Sequence, residues 1–445
     1  PTLVQSPTDF AKKFGSFRND SFLAYDVYGF FANGGARAYV SRVIANDATT
    51  ASVLVPDSDN NDVWKFEALY PGNYGNNIRV TITVNIVDNT LRDIRVEDLE
   101  TGTFESYSGL SSDPTSGNYI LARLSNSQII KVRYLGTTNL PPQAGVYNLS
   151  GGSDGSDPTS ANYITAIESF REVDEILNFG VGGLSPALQH TLVGFVAERR
   201  NSFVFLDTPL GLTPEQARNY LKGQFINTTA FNSEWAALYY PWLKIIDPAT
   251  GNLIFVPPAG WIAGVHARND NNSGPHIFSA GIGFGEIFLA VALETPMSKP
   301  QADILYPHGV NPIISDPRTG LVIWGAQTTY RYRSKEKWIP TIRLSNFISK
   351  SIYDSLFWVV HKPNTPQLWA QVRTQITNFM DSLFRQGWFA MNGPSPSQSD
   401  PSASYFVKVD EENNPPPIQE QGILIVDVGF APQKPVEFVV LRIAR

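Results

Sequence analysis

The stretch "RNSFVFLDTPLGLTPEQARNYLKGQFINTTAFNSEWAALYYPWLKII" (Arg200–Ile246) decides the fold class. Within its first ten residues, the run "FVFL" (Phe203–Leu206) is apolar and aromatic throughout, which predicts a buried strand. "LTPEQARNYLKGQF" predicts a helix capped by Thr213, with Pro214 in its first turn. "EWAALYYPWLKII" predicts a further strand. Strand, capped helix and strand in this order are the sequence form of a crossover unit, so this part of the chain is predicted to be α/β.

The α/β pattern extends on both sides of this segment. After the Gly/Ser/Asp-rich linker Ser150–Ser160, a helix is predicted from about Asn162 to Leu177. Further along, "PPAGWIAGVHAR" predicts a helix and "GLVIWGAQT" predicts a strand. We therefore predict a central α/β domain over residues 150–330.

Two segments with different sequence patterns precede this domain. Residues 1–46 read as a short helix at Pro7–Ser16, a helix that stops at Gly34-Gly35 and a strand at Ala38–Val43, an α/β segment expected to pack with the central domain. Residues 47–149 carry short strands such as the alternating Ile78–Ile86 run, which predicts a β-rich inserted domain facing outward. The related motifs "SDPTSGNYI" and "SDPTSANYI", at 112–120 and 156–164, each predict a helix start.

The last part of the chain, residues 331–445, is predicted to be an α+β domain. Apolar residues recur on one face over Ser345–Val360 and again over Gln367–Gln386, which predicts two amphipathic helices. Strands are predicted at Tyr405–Val409, Ile423–Ala431 and Val436–Ile443. The final strand is strongly apolar and would aggregate if left unpaired, so it is either covered within its own sheet or paired with a neighbouring molecule.

Composition and charge limit the classes of function that the chain can have. Charged residues are only 17% of the chain, and 27 Phe, 18 Tyr and 9 Trp accompany them, which favours a surface covered by partners. Nine Lys/Arg and three acids fall between Arg331 and Ala390, a net charge of +6, whereas the whole chain carries −7. This basic segment is either an ordinary solvated face or a docking surface for something acidic.

The chain lacks the motifs of familiar catalytic and metal sites. It has no cysteine, which excludes disulfides and thiolate metal sites, and its five histidines show no metal-ligand spacing. It contains neither a phosphate-binding Gly-x-x-x-x-Gly-Lys-Ser/Thr loop nor a Gly-x-Ser-x-Gly nucleophile elbow. No apolar run reaches the ~18 residues that a membrane helix needs. We therefore expect no enzyme activity, no cofactor, no metal site, no nucleic-acid partner and no direct membrane insertion.

Six blocks, in order, resemble one family, the sheath proteins of contractile phage tails and related injection systems. They are "FGSFRNDSFLAYDVYGFFANGGARAYVSRV", "LDTP", "EWAALYYPWLKI", "YPHGVNPIISDPRTGLVIWGAQTT", the helical pair from Lys337 to Gly393, and the closing "GILIVDVGFAPQKPVEFVVLRI". The resemblance covers nearly the whole chain apart from the β-rich insertion.

The resemblance implies a structural protein that works by assembly. It implies a central domain that is subtilisin-like in fold, six-membered rings stacked helically around an inner tube, and contraction from a metastable extended state that drives the tube through a target envelope. It also implies that the C-terminal sheet is completed by neighbouring subunits. The residues expected in that shared strand pairing are Ile423, Ile425, Val436, Phe438, Val440 and Ile443. The candidates for contact with an acidic tube are Lys350, Arg373 and Arg385.

The implied partners are further copies of the chain, the inner tube protein, and baseplate and terminator or cap proteins. The implied location is a phage virion tail or a bacterial injection particle, assembled in the bacterial cytoplasm. An alternative from another class is a serine-hydrolase-like enzyme on a subtilisin-like fold. The sequence shows no Ser-His-Asp motif for it, and a fold does not by itself confer chemistry.

Overall fold

The computed structural model describes residues 1–18, 20–225, 228–332 and 335–435. The predicted closing strand, Val436–Ile443, lies outside the described residues. The chain forms a mixed α/β structure with several sheets, as predicted. None of the described helices is long and apolar enough to cross a lipid bilayer.

The helices, in chain order, are α1 (Pro7–Phe14), α2 (Leu23–Ala32), α3 (Ile120–Leu124), α4 (Ser160–Glu168), α5 (Pro186–Arg199), α6 (Pro214–Leu221), α7 (Ala259–Asn272), α8 (Lys299–Leu305), α9 (Ile339–Ser355), α10 (Pro366–Arg385) and α11 (Pro416–Glu420). The strands are β1 (Thr2–Val4), β2 (Ala38–Val40), β3 (Ser52–Pro56), β4 (Asp62–Ala68), β5 (Ile78–Val84), β6 (Arg92–Asp98), β7 (Phe104–Leu110), β8 (Ile130–Tyr134), β9 (Gly145–Asn148), β10 (Leu177–Gly180), β11 (Ser202–Asp207), β12 (Ala236–Tyr240), β13 (Leu243–Ile246), β14 (Leu253–Val256), β15 (Ala290–Leu293), β16 (Val310–Asp316), β17 (Gly320–Ile323), β18 (Tyr405–Lys408) and β19 (Asp427–Phe430).

The chain folds as two compact units. The first unit comprises residues 1–24 and 36–173, and the second comprises 25–35 and 174–445. The segment 25–35, most of α2, therefore belongs to the second unit although its flanking residues belong to the first. The four-part division drawn from the sequence stays a prediction.

The first unit is built from antiparallel β-sheet. Strands β3, β4 and β8 form one sheet, β7, β6, β5 and β9 form a second, and β1 pairs with β2. Its core contains the fully buried Trp64 and Phe66. The predicted alternation is confirmed at Ile78, Val80 and Ile82, which are buried, but the strand ends at Val84, and Ile86 beyond it is 98% exposed.

Two predictions in this unit are wrong in detail. In the first repeated motif, Asp113 accepts hydrogen bonds from the backbone and hydroxyl of Thr115 and forms a turn, so helix α3 begins only at Ile120. In the second motif the predicted helix start is confirmed, because α4 begins at Ser160 and Thr159 forms a capping box with Asn162. The helix predicted over 162–177 is instead α4 followed by a short 3₁₀ turn, because β10 begins at Leu177.

The second unit contains the α/β sheet predicted from Arg200–Ile246. Its strand order is β10-β11-β12-β16-β17, with the first four strands parallel and β17 antiparallel. All side chains of β11 and β12 are buried, as expected for strands covered on both faces. Thr213 caps α6 in a capping box with Gln216, and Pro214 opens the helix, as predicted.

One strand prediction in this sheet is wrong. "EWAALYYPWLKII" forms two strands, because Pro241 has no backbone N–H to continue a ladder. Strand β12 ends at Tyr240 in the main sheet, and β13 joins β14 and β15 in a separate three-stranded sheet.

The C-terminal helices form a core of their own within the second unit. Helices α9 and α10 bury one face each, as predicted, although α9 starts six residues earlier than expected and ends at Ser355. The core is formed by apolar residues of both helices and of the segment that follows them, namely Leu344, Ile348, Leu368, Trp369, Val372, Ile376, Met380, Leu383, Phe384, Phe389 and Val409.

Candidate functional site

The candidate site is a two-stranded antiparallel ribbon, β18 and β19, in the second unit. Tyr405 pairs with Phe430, and Lys408 pairs with Asp427. Among the described residues no further strand is hydrogen-bonded to this ribbon. An antiparallel strand with one paired edge directs half of its backbone groups away from its partner. The ribbon therefore offers edges to which another strand can add.

Aromatic packing fixes the ribbon on the C-terminal core. The ring of Tyr405 contacts those of Phe384 and Phe389, while its hydroxyl donates a hydrogen bond to Asp381 on α10. Burial, together with the neighbouring Asp381 carboxylate, raises the pKa of Tyr405, so the hydroxyl stays a donor. The Phe430 ring stacks on Phe389. The ribbon is consequently held on the C-terminal core, and no other described strand pairs with its outer edges.

The sequence overestimated the length of β19. The predicted strand Ile423–Ala431 is a strand only from Asp427 to Phe430. The backbone N–H of Ile425 donates to Oδ1 of the buried Asn414 at 2.7 Å, and the Ile425 carbonyl accepts from Nδ2 of Asn414 at 3.0 Å. The Ile423 carbonyl accepts from Asn364. These backbone groups are therefore occupied within the chain, which is a correction to the predicted strand at Ile423 and Ile425.

The other predicted strand residues, Val436, Phe438, Val440 and Ile443, lie outside the described residues. The described chain approaches this segment through Ala431 and Pro432, which continue from β19 and pair with Ala390 and Phe389.

The three predicted tube-facing cations lie in different surroundings. Lys350 on α9 is bound to Asp354 at 2.6 Å and to Asp174 at 3.0 Å, and its side chain is only 12% exposed. Its hydrogen bonds to Asp354 and then Asp174 raise the pKa of Lys350. Its charge is thus matched within the chain. Arg373 and Arg385, on α10, are both exposed.

Arg373 borders a shallow groove of about 330 Å³. The groove lies between the first half of α10 and the turn that follows β18. It is lined by Pro366, Trp369, Ala370, Arg373, Val409, Asp410, Glu411 and Glu412. Three of these residues are acidic, so Arg373 faces a locally negative surface, whereas Arg385 lies at the other end of α10. The structure does not bring the three cations into one cluster.

The second unit also carries exposed apolar surface that the sequence did not reveal. One patch lies on the sheet of β13, β14 and β15 and on the two residues that precede β15. Its exposed side chains are Ile246, Leu253, Phe255, Phe288, Leu289 and Val291. Another, at the end of α9, is formed by Tyr353, Phe357, Trp358 and Val360. Sequence pattern missed these residues because runs such as "LIFV" are apolar at every position, and such runs are read as buried strands. Exposed apolar patches are typical of protein interaction surfaces.

The described residues hold no cluster of three or more His, Asp or Glu side chains suited to a metal ion. His266, the most buried histidine, hydrogen-bonds to the Tyr239 hydroxyl and to Arg343. Burial, followed by the charge of Arg343, lowers the pKa of His266 well below its usual value. Both ring nitrogens are therefore engaged, and neither can act as a base for a serine.

Comparison with known proteins shows which family part of this chain resembles. Residues 157–329 match the family model described as the phage tail sheath protein central domain. The chain is 25% identical over 188 residues to the tail sheath protein of Vibrio phage KVP40, an alignment that covers 42% of this chain and 26% of that protein. The matched region thus spans about a quarter of the length of that relative.

Solved structures share the fold over a much larger part of the chain. The sheath tail protein of Listeria innocua aligns with a TM-score of 0.65 and 17% identity, over 92% of this chain and 85% of that one. The helical sheath of the anti-feeding prophage in its contracted state aligns with a TM-score of 0.53 and 21% identity, over 92% of this chain and 98% of that one. Residues 157–329 are thus similar to the central domain of phage tail sheath proteins, and the chain shares the fold of the solved sheath structures.

Proposed function

We propose that this chain is the structural subunit of a contractile tail sheath, polymerising as a helical stack of six-membered rings around an inner tube. The observation that carries the proposal is the fold, which follows that of the anti-feeding prophage sheath over 92% of the chain. The match to the sheath central domain over residues 157–329 supports it independently. The protein would function in a phage tail or a bacterial injection particle, after assembly in the bacterial cytoplasm.

Strand addition to the β18–β19 ribbon would link the subunits. The ribbon is anchored on the C-terminal core and, within the described residues, has no third strand. A strand from a neighbour, such as the apolar segment Val436–Ile443, would satisfy the outward backbone groups and cover apolar surface. Backbone pairing of this kind tolerates a change in the angle between the linked bodies, because only the short connection has to bend.

Contraction would follow from a difference in packing between two lattices. Subunits in the extended state would be held by tube contacts and a kinetic barrier, and they would rotate into a lattice with more mutual contact once released. The exposed apolar patches at β13–β15 and at the end of α9 are suited to such packing. A free-energy gain that is small for one subunit becomes large when summed over a sheath, so no nucleotide or cofactor is required.

The remaining partners follow from this role. For contact with an acidic inner tube we propose Arg373 and Arg385, two of the exposed cations of the basic segment. Baseplate and terminator or cap proteins would bind the two ends of the stack. Neither nucleic acid nor membrane insertion is part of this mechanism.

Serine hydrolysis is the alternative function, and the most buried histidine does not support it. A hydrolase needs a histidine with one nitrogen free to take the serine proton and the other oriented by a carboxylate. The buried His266 instead contacts Tyr239 and Arg343. An activity-based serine probe that labelled the purified chain would support the alternative.

Electron microscopy of the purified full chain tests the proposal. We expect negatively stained hollow cylinders with six-fold walls, either spontaneously or after co-expression with the inner tube protein. Monomers alone under both conditions would contradict the sheath function.

A further inference from the structure

Two carboxylates are buried side by side in the second unit. Asp26 on α2 is 3% exposed, and Asp207 at the end of β11 is 1% exposed. Oδ2 of Asp26 accepts from the N–H of Gly182 at 2.8 Å, and Oδ1 of Asp207 accepts from the N–H of Ala259 at 2.8 Å.

A second backbone N–H lies near each carboxylate, and it belongs to the residue adjacent to the donor of the other carboxylate. The N–H of Gly260 lies near Asp26 and that of Gly183 lies near Asp207, and each opposes the rise in the pKa of its carboxyl that burial causes. Because two dipeptides, 182–183 and 259–260, each serve both carboxylates, Asp26 and Asp207 are close neighbours. One dipeptide follows β10 and the other opens α7, so the pair lies at the carboxyl ends of the parallel strands.

Each carboxylate has an oxygen without a hydrogen-bond partner. These atoms, Oδ1 of Asp26 and Oδ2 of Asp207, are both buried. Among the ion pairs of the described residues, none involves either carboxylate. Two adjacent buried negative charges without a cation are strongly unfavourable, and a proton held by the pair removes at least one of them. Burial raises the pKa of Asp26 to about 8. Burial, followed by the charge of Asp26, raises the pKa of Asp207 well above its usual value.

The surrounding titratable groups are engaged elsewhere. From α6, Tyr220 faces Asp207, but its hydroxyl donates to Gln189 at 2.8 Å. Further along α7, His266 binds Arg343, and Arg343 in turn binds Asp270. Tyr25, next to Asp26 on α2, donates its hydroxyl to Asp247. Proton loss from the pair is therefore not compensated by a nearby cation.

Asp26, one member of the pair, lies where α2 packs against α7. A Cβ on Gly260 would lie 2.5 Å from that of Asp26, and a Cβ on Gly264 would lie 2.4 Å from the Phe30 carbonyl. The helices are therefore in direct contact along the face that carries the two glycines. At the far end of this contact, Oδ1 of Asn33 accepts a hydrogen bond from the Phe288 N–H at 2.8 Å. Asp26 is the buried carboxylate in this contact, whereas Arg268 of α7 binds the Asn33 carbonyl at the other end, so the charge of Asp26 bears on how firmly α2 is held.

We propose that Asp26 and Asp207 form a proton-sharing carboxylate pair that locks α2 onto the central sheet, and that loss of this proton as the pH rises loosens the helix. The inference concerns the fold of one chain and does not depend on sheath assembly. The linkage has a definite sign. An aspartate whose pKa is raised on folding contributes its full stability below pH ~4, and that contribution is lost progressively as the pH rises towards the folded-state pKa.

Hydrogen exchange on the wild-type full chain tests the lock directly. The measured quantity is the protection factor of a peptide covering residues 25–35, taken relative to the intrinsic exchange rate at each pH. Between pH 5 and 8 this factor should fall about tenfold per pH unit for each proton that the pair binds when α2 is packed and releases when α2 is loosened. A peptide covering β5 (Ile78–Val84) in the first unit serves as the internal reference and should keep its protection. A constant protection factor for residues 25–35 across this range would overturn the proposal.

Two neutral variants and a control complete the test. Asp26→Asn and Asp207→Asn should each reduce the pH dependence of the 25–35 peptide, because only one titrating carboxyl remains, and each should leave the peptide more protected than the wild type at pH 8. The control is Asp247→Asn, because the Asp247 carboxylate is hydrogen-bonded by Thr250 and Tyr25 and its pKa is lowered, chiefly by Thr250. This variant should instead lose protection at pH 8. If the Asp26 and Asp207 variants retain the wild-type slope, the pair is not the titrating group.

Infrared spectroscopy of the wild type keeps the proposal testable if the variants fail to fold. The carbonyl band of a protonated carboxylic acid should be present at pH 6, where exposed carboxyls are ionised, and should disappear at alkaline pH. Absence of this band at pH 6 would overturn the proposal.

Discussion

At the scale of single residues, Asn414 shows how one side chain can end a strand. Asn414 is fully buried, and its amide group binds both the N–H and the carbonyl of Ile425. Those are the groups that a β-ladder through Ile425 would use. The apolar run 423–431, dominated by β-branched and aromatic residues, predicted a longer strand, because such a run reports side-chain type and not whether another side chain, here the Asn414 amide, binds the backbone.

Asn414→Ala is expected to destabilise the second unit by about 1–3 kcal/mol, because it removes the partner of the half-buried Ile425 N–H and leaves the Ile425 carbonyl with Asn413 as its remaining donor. The measurement is urea denaturation of the full chain followed by tryptophan fluorescence. The matched control is Gln421→Ala in the same region, since Gln421 is exposed and bonds only to Pro417. Equal midpoints for both variants would show that the Asn414 bonds contribute nothing.

At the scale of elements, the contact between α2 and α7 and the exposed face of α5 carry glycines with opposite roles. Gly264 on α7 leaves no room for a side chain, because a Cβ would lie 2.4 Å from the Phe30 carbonyl. Gly194 on α5 is exposed, and a Cβ there would meet nothing within 4 Å. A glycine in a helix interior costs stability unless close packing requires it.

Gly194→Ala should therefore stabilise the second unit by about 0.5–1 kcal/mol, the difference in helix propensity. Gly264→Ala should destabilise it by about 1–3 kcal/mol, because the added methyl group forces the two helices apart. Urea denaturation of the two variants side by side provides the measurement. The same sign of effect at both positions would contradict the packing described for α2 and α7.

The sequence predicted those elements whose signals are local. Thr213 and Pro214 mark the start of α6 by cap chemistry, and the apolar face of α10 has helical spacing, so both were found. The division of "EWAALYYPWLKII" at Pro241 was missed, although proline carries that signal. The Asp26–Asp207 pair could not have been predicted, because it depends on a tertiary contact between residues far apart in the chain. The exposed β13–β15 patch was missed for a similar reason, since the exposure of an apolar strand is decided by which element covers it.

At the scale of the whole molecule, the proposed tube contact rests on α10. Arg373→Glu combined with Arg385→Glu should abolish co-assembly with the inner tube protein, because attraction to an acidic surface becomes repulsion. Lys350 is left unchanged, since a glutamate there would face Asp174 and Asp354 and would disturb the fold itself.

Negative-stain microscopy of co-expressed proteins scores this effect, and thermal denaturation confirms that the double variant is folded. Lys362→Glu, an exposed change of the same kind outside α10, serves as the control and should assemble normally. Unimpaired assembly of the double variant would remove Arg373 and Arg385 from the tube contact.

The final segment of the chain provides the most direct test of assembly by strand addition. Residues 344–430 already supply the C-terminal core, so removal of residues 436–445 should leave the thermal unfolding midpoint nearly unchanged while abolishing cylinder formation. A finer test uses the two-residue periodicity of a strand, in which side chains at alternate positions share a face. Phe438→Lys with Val440→Lys should block assembly, because lysines on this face cannot be buried against a neighbour's sheet. Glu437→Lys adds the same kind of charge on the opposite face and should be tolerated. Cylinders formed by the truncated chain would show that the subunits are joined by other contacts, with the apolar β13–β15 patch as the first surface to examine.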